Sequence, residues 1–431
     1  MYALTISAND YPEANYYISE FQDYGPGRQL IIKVGGALVN DEFELQALAE
    51  SLYTLKKHSI GAVIIHGGGP QMNKRMEDKN IESKFIDGKR FTDQATLDIA
   101  TEVFCGISQK IVNRLKAYNI NATVVPGNHI VEAHRNPALG LVGDKVKAVD
   151  SAQLQQEAEV CDVVVVNSLA RDEENSKQVL NINADTVFKE VVFSMAPHRL
   201  VSLTSVGGIF EDPNDSESIL DSLDVKDIEQ LIKDDIISGG MAMKVRELGD
   251  IVNVLPPGSA ISITKPSQLI DELFSRPGSG TYIANGPKLE WYSDWHNQKD
   301  AIRNIISRSF GTELPEEYFE LTKPVSLILT HDLSGCAIVS LLEDGSVYLD
   351  KLAVIPESQG RGIAQHLWYA LTAKYPKIIW RARSNNPFVK WYQDNADYYV
   401  GYGEWSIFSI GYDLKHIEQN SKEILEKPAI G

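Results

Sequence analysis

No stretch of this 431-residue chain comes near the ~20 consecutive apolar positions that a membrane-spanning helix needs. The opening residues, MYALTISANDYPEANYYISE, lack both the apolar core of a secretion signal and the arginine-rich, acid-poor character of an organellar transit peptide. Cysteine is scarce: Cys105, Cys161 and Cys336 are odd in number and far apart, which excludes a disulfide framework and a paired-cysteine zinc site. These shortages point to a reducing, aqueous compartment, the cytoplasm. Positive charge is short as well. Lys and Arg number 41 against 59 Asp and Glu, a net charge of -18 that argues against nucleic acid or an anionic membrane as partner. Internal repeats, low-complexity tracts and coiled-coil heptads are missing too.

What is present is alternation. Residues 1–27 form a polar, aromatic arm that closes on the turn signal Gly25-Pro26-Gly27. From Leu30 onward LIIKV, AVIIHGGG, NATVVPG, CDVVVVNS, LVSLTSVGG and AISITK read as strands, with helical segments such as EFELQALAESLYTLKKH and ATLDIATEVFCGISQKIVNRLKAY between them. Parallel strands need crossovers and are buried on both faces, so residues 28–285 are expected to form an α/β domain with a mostly parallel sheet and helices on both faces. Gly and Pro cluster in FSRPGSGTYIANGPKLEW, residues 274–291, where the domain boundary is placed. Residues 286–431 are rich in tryptophan and tyrosine, and run through the strands VSLILT, GCAIVSLL and SVYLDKLAV before a first strong helix. That order predicts a smaller α/β domain around a mixed, largely antiparallel sheet.

Two glycine-rich turns stand out in the first domain. The first strand ends in Lys33, Gly35 and Gly36; the second ends in His66 and the glycines Gly67, Gly68 and Gly69. In a doubly wound sheet ligands sit at the carboxyl ends of the strands, so both turns belong on one edge. Bare backbone N–H groups with helix N-termini behind them make an anion cradle, and Lys33 adds a fixed positive charge.

Further along lie Arg90 in GKRFTD, Asn181 and Asp185 in LNINADT, and Lys244 in SGGMAMK. K-x-G-G, H-G-G-G-P, an Arg before FTD, N-x-N-A-D and G-G-M-x-x-K, in that order, resemble the amino-acid kinase family, most closely its N-acetylglutamate kinases, over residues 28–283. The resemblance implies ATP, carried with Mg, and N-acetyl-L-glutamate as substrates. A side-chain carboxylate is already ionised at neutral pH, so its phosphorylation needs no general base; the difficulty is to hold two anions together. By the resemblance, Lys33 and Lys244 flank the migrating phosphoryl group and Asp185 pairs with both. Backbone N–H groups of Gly35, Gly36, Gly67 and Gly68 take phosphoryl oxygens, while Gly68, Gly69, Arg90 and Asn181 hold N-acetylglutamate. The metal arrives with the nucleotide rather than on protein side chains. Ser205, in LTSVGGIFED, stands where simple kinases of the family have an acidic residue.

The second domain carries a different chemistry. Gln359, Gly360, Arg361, Gly362, Ile363 and Ala364 match Q-x-x-G-x-A, the pyrophosphate loop of the GCN5-related acetyltransferases (GNAT). Successive N–H groups at a helix start suit the pyrophosphate of acetyl-CoA. In the strand IIWRARS, Arg381 and Arg383 project to one face and repel unless an anion lies between them. This block, with LDKLAV and N-P-F-V-K-W-Y, resembles the acetyltransferase domain of vertebrate-type N-acetylglutamate synthases over residues 290–415. It implies that Lys351, Arg381, Arg383 and Asn386 bind L-glutamate, that a strand N–H near Ala353 or Val354 polarises the thioester, and that Tyr392 protonates the leaving thiolate. Cys336 is expected to be packing, not a nucleophile.

The product of the second chemistry is the substrate of the first. The sequence therefore predicts a bifunctional enzyme of arginine biosynthesis, N-acetylglutamate synthase and kinase in one chain, acting as a homo-oligomer, dimer or tetramer. One rival is a synthase whose kinase-like domain only regulates; another is an arginine-sensing module without chemistry in its first domain. ELFSRPGSGT resembles the arginine site of feedback-inhibited kinases, which assigns Glu272, Gly278 and Gly280 to an arginine effector.

Overall fold

Leu30–Val34 (β1) is buried at every position, as a strand covered on both faces must be. Leu30, Ile32 and Val34 join one apolar cluster and Ile31 joins the other, so Lys33 extends from the face that carries Ile31. The computed structural model describes residues 18, 21–22, 24–86, 88–212, 215, 218–255, 260–274, 279–359, 362–386 and 388–428. The chain divides into two compact units, residues 1–285 and 286–431.

In the first unit β1 is joined by Ala62–His66 (β2), Ala122–Val125 (β3), Val163–Asn167 (β4), Arg199–Leu203 (β5), Ser222–Asp224 (β6), Ala260–Thr264 (β7) and Thr281–Ala284 (β8). They form one sheet in the order β6-β8-β7-β5-β1-β2-β4-β3. Every neighbouring pair is parallel except β7 with β8. Val34, His66, Asn167 and Leu203 are in register, which lines up the turns that follow them on one edge. The apolar runs foretell β1 to β5 and β7; β6 and β8, at the far edge, were not foreseen. Nor was a small closed barrel of Val131–Arg135, Val142–Val149, Leu169–Asp172 and Val179–Ile182.

The second unit is a seven-stranded sheet of Leu289–Tyr292 (β9), Pro324–Thr330 (β10), Gly335–Leu341 (β11), Val347–Val354 (β12), Ile378–Arg383 (β13), Tyr398–Tyr402 (β14) and Trp405–Ile410 (β15), ordered β9-β10-β11-β12-β13-β15-β14. Only β12 and β13 pair in parallel; the rest are antiparallel. One expectation needs correcting. Helices Lys299–Phe310 and Glu316–Leu321 precede β10, so helix comes ahead of the main run of strands. Its apolar stripe is only Ile302, Ile305 and Ile306, at helical spacing within a charged segment.

Candidate active sites

At the carboxyl edge of the first sheet, a cleft of about 390 Å³ is lined by both glycine turns, by Lys33, Arg90, Asn181 and Asp185, and by Gly143 and Asp144 from the small barrel. The turns touch: a Cβ on Gly36 would come within 3.2 Å of Gly68 Cα and 3.3 Å of Pro70 Cδ. On Gly68 it would meet Ile107 Cδ1 at 2.6 Å. Glycine is therefore required where backbone meets backbone, and the helix Gly69–Asp78 starts directly behind.

Asp185 sits in the first turn of the helix Ala184–Met195, whose Val187, Phe188 and Val191 pack on the Ile31 face of the sheet. The shared face brings the half-buried Asp185 to the buried Lys33, with which it forms an ion pair. Burial and the nearby Lys244 charge lower the Lys33 pKa to about 8, while Glu247 pulls it back up. Lys244, on the helix Gly239–Val254, is lowered by burial and likewise held up by Glu247. The lysine charges thus feel each other. Among the described residues, Asp185 bonds Lys33 and not Lys244.

Arg90 stands on a two-strand hairpin, Phe85–Ile86 with Lys89–Arg90, stacked over Phe85 at 4.7 Å and donating to Ser83 Oγ at 2.5 Å and to Asn73. Lys89 and Asp144, which sequence reasoning did not single out, form an ion pair at the cleft wall. Asn181 donates to Thr92 Oγ1 at 3.2 Å. Glu272 Oε2 accepts from the N–H groups of Ser279 and Gly280, each at 2.9 Å. Burial raises its pKa against the pull of these bonds. Gly278 lies outside the described residues.

In the second unit β12 and β13 are paired only at Tyr348 with Ile379 and at Leu349 with Trp380. Beyond these they part, and the side of β12 from Asp350 to Val354 that would face β13 is left unpaired, opening a wedge. A bulge in the pairing with β11 marks the same point: Ile338 faces Lys351 and Val339 faces Leu349, which leaves Asp350 over. Asp350 accepts from the Tyr318 hydroxyl at 2.6 Å and pairs with Lys351 at 2.5 Å. Lys351 also lies over the Tyr318 ring. Past the wedge, Gly362 has φ of +68° and begins the helix Ile363–Lys374, with Ile363 and Ala364 in its first turn. Gln359 donates to the Val354 carbonyl at 3.0 Å. Gly360 and Arg361 lie outside the described residues. A glycine-started helix of twelve residues beside an open strand edge fits the pyrophosphate and thioester of acetyl-CoA.

Arg381 and Arg383 do share a face, and both stack on Trp405, at 4.2 and 5.0 Å from its centroid. Arg381 also donates to the carbonyls of Ile424, Leu425 and Lys427, closing the end of the helix Leu414–Glu426. Asn386 Oδ1 accepts from the Phe388 N–H at 2.8 Å. Tyr392 packs against Trp380, Trp391 and Phe408, and burial pushes its phenol up to about 12. Cys336 is fully buried, its thiol also pushed to about 12, which excludes a thiolate near neutral pH.

Comparison with known proteins agrees with this architecture. Residues 28–254 match the amino acid kinase family, and residues 284–427 match the N-acetyltransferase domain of N-acetylglutamate synthase. The chain belongs to the amino acid kinase family and carries that acetyltransferase domain behind it. Among its relatives is a protein of Xanthomonas campestris pv. campestris called acetylglutamate kinase, 31% identical over 414 residues, covering 94% of this chain and 95% of the relative. Among solved structures, N-acetylglutamate synthase of Neisseria gonorrhoeae with coenzyme A and N-acetylglutamate superposes with a TM-score of 0.59 at 18% identity, over 93% of this chain and 98% of that one. The same protein with coenzyme A and L-arginine gives 0.61 at 17% identity, over 94% and 100%. At such identities the likeness is one of fold.

Proposed function

We infer that the chain is a bifunctional enzyme of arginine biosynthesis. Residues 286–431 transfer acetyl from acetyl-CoA to the α-amine of L-glutamate, and residues 28–285 phosphorylate the side-chain carboxylate of the resulting N-acetyl-L-glutamate with ATP. The observation that carries this reading is the cleft of the first unit, where both glycine turns meet the Lys33–Asp185 ion pair and where the charge of Lys244 is felt at Lys33. Transfer between two anions is an electrostatic problem, and preorganised cations and N–H groups are its solution.

In the kinase step Lys33 and Lys244 neutralise charge developing on the phosphoryl oxygens, with Asp185 aiming Lys33. Gly36, Gly67 and Gly68 present N–H groups, and Arg90 and Asn181 orient the acetylated amino acid. Mg carried by ATP would screen the charge of its phosphates. In the acetyl-transfer step the glutamate amine attacks the thioester carbonyl, and the sulfur departs with a proton. An N–H of β12 near Ala353 or Val354, on the side that β13 leaves open, donates to the developing oxyanion. Tyr392, neutral at physiological pH, is poised to donate to the leaving sulfur. Lys351, Arg383 and Asn386 hold the glutamate carboxylates, and Arg381, whose guanidinium serves the carbonyls of Ile424, Leu425 and Lys427, adds its charge beside them. We further propose L-arginine as an effector bound near Glu272, a reading supported by the arginine complex of the Neisseria synthase.

Two assays on the full chain test the whole reading: ADP formed from ATP with N-acetylglutamate, and thiol released from acetyl-CoA with glutamate. Both products are expected. Thiol without ADP would instead mark the first unit as regulatory.

A further inference from the structure

The His66 and Gly67 carbonyls, which lead into the second glycine turn, are each held by a side chain. Ser168 Oγ donates to the His66 carbonyl at 2.6 Å. The ring of His66 itself bonds the Gly67 carbonyl through Nδ1 at 2.9 Å. A carbonyl can only accept, so Nδ1 carries the proton; Nε2 is then an acceptor, and the Ser108 hydroxyl turns its one proton to Nε2 at 2.7 Å rather than to the Phe104 carbonyl at 3.0 Å. The ring is fully buried, and burial lowers its pKa to about 4, so it stays neutral with its single N–H committed to Gly67.

The described peptide bonds are all trans. Across a trans peptide the C=O and the following N–H point in opposite directions on one rigid plane. Tying the His66 carbonyl to Ser168 therefore fixes the Gly67 N–H within the same plane, pointing the opposite way. Tying the Gly67 carbonyl to the His66 ring fixes the Gly68 N–H in the same way, turned from the Ser108 helix, Gln94–Ala117. Neither glycine can hold its own backbone with a side chain, because a Cβ on Gly67 would press on Ala184 at 3.2 Å and one on Gly68 would strike Ile107. The turn must be held from outside. Ser168, directly after β4, lines the same cleft.

We propose that His66 and Ser168 are positioning residues for phosphoryl transfer, clamping two successive peptide planes so that the Gly67 and Gly68 N–H groups stand aimed before substrate arrives. This rests on the kinase reading of the cleft. Dipoles that need not reorient during the reaction lower the barrier, whereas loose ones give back that gain. The effect falls on kcat more than on KM, since the developing charge is greatest in the transition state.

The test measures ADP production with N-acetylglutamate on four full-length variants, with thiol release from acetyl-CoA and a thermal melt as controls. Ser168→Ala removes one tie and is too small a change to threaten folding. His66→Gln moves the donor toward the Nε2 position and loses the Gly67 tie, while His66→Asn keeps a donor near Nδ1. Ser168→Thr keeps the hydroxyl. Ser168→Ala and His66→Gln are expected to lower kcat by ~10- to 100-fold with KM changed less than ~3-fold. His66→Asn and Ser168→Thr should recover most of that loss, and thiol release should be unchanged throughout. Unaltered kcat in a cooperatively melting Ser168→Ala overturns the clamp. So does His66→Asn being as impaired as His66→Gln, because the ring would then serve only to fill space. An unmutated chain that makes no ADP overturns the kinase reading itself, and the clamp with it.

Discussion

Lys33 and Asp185 are ion-paired across a sequence separation of 152, with Lys33 at the end of the central strand and Asp185 at the start of a helix on the same face. Burial beside Lys244 brings the Lys33 pKa down to about 8. The positive charge at the cleft is thus close to being lost under mildly alkaline conditions.

A pH profile should reveal this. The kinase kcat/KM, which reports the free enzyme, is expected to fall as pH rises through about 8. Between the folded pKa and the ordinary lysine value the unfolded chain binds more protons at this group, so its contribution to stability rises with pH. Activity and this stability component should move in opposite directions. A flat kcat/KM up to pH 9.5 would remove Lys33 from the charge-bearing role.

Lys244→Ala should lower ADP production by ~100-fold, the scale of losing one preorganised charge contact, and leave thiol release intact. It also removes a positive neighbour of Lys33. The alkaline limb of the residual kinase activity should therefore shift upward. An unshifted limb would mean that the lysines do not share one site.

Tyr392→Phe keeps the ring among Trp380, Trp391 and Phe408 and deletes only the hydroxyl. Thiol release is expected to fall by ~100-fold, within the range of general-acid catalysis, while ADP production is unchanged. Thiol release at the unmutated rate would pass the proton donation to another group.

Glu272→Gln replaces a carboxylate that receives two backbone N–H groups. Arginine binding, measured by calorimetry on the full chain, should weaken at least ~10-fold, as expected for a charge-assisted contact. Absence of binding to the unmutated chain at millimolar arginine would sink the effector assignment.

Much of this was legible because it is local. Glycine runs after apolar strands, and a Lys or Asp at an element end, are short-range signals, and the strict alternation of β1 puts Lys33 on the Ile31 face. The small barrel was not legible. Its strands mix Glu132, His134, Lys145 and Lys147 with apolar positions, and register shifts break the alternation between Glu132 and Arg135. Lys89 with Asp144 and Arg381 with the carbonyls of 424–427 are tertiary contacts that no sequence period encodes. The Asp350 bulge escaped for a related reason: LDKLAV reads as a regular strand until its neighbour's register is known.

The fastening of Arg381 to residues up to Lys427 also has a consequence in time, since donor and last acceptor are 46 positions apart. At the ~5 to 20 residues per second of protein synthesis, the guanidinium leaves the ribosome roughly two to nine seconds before its last acceptor does. Throughout that interval the first unit, whose sheet needs nothing beyond Ala284, has all its strands available. On the nascent chain, the unit that consumes the shared metabolite is ready to assemble before the unit that makes it.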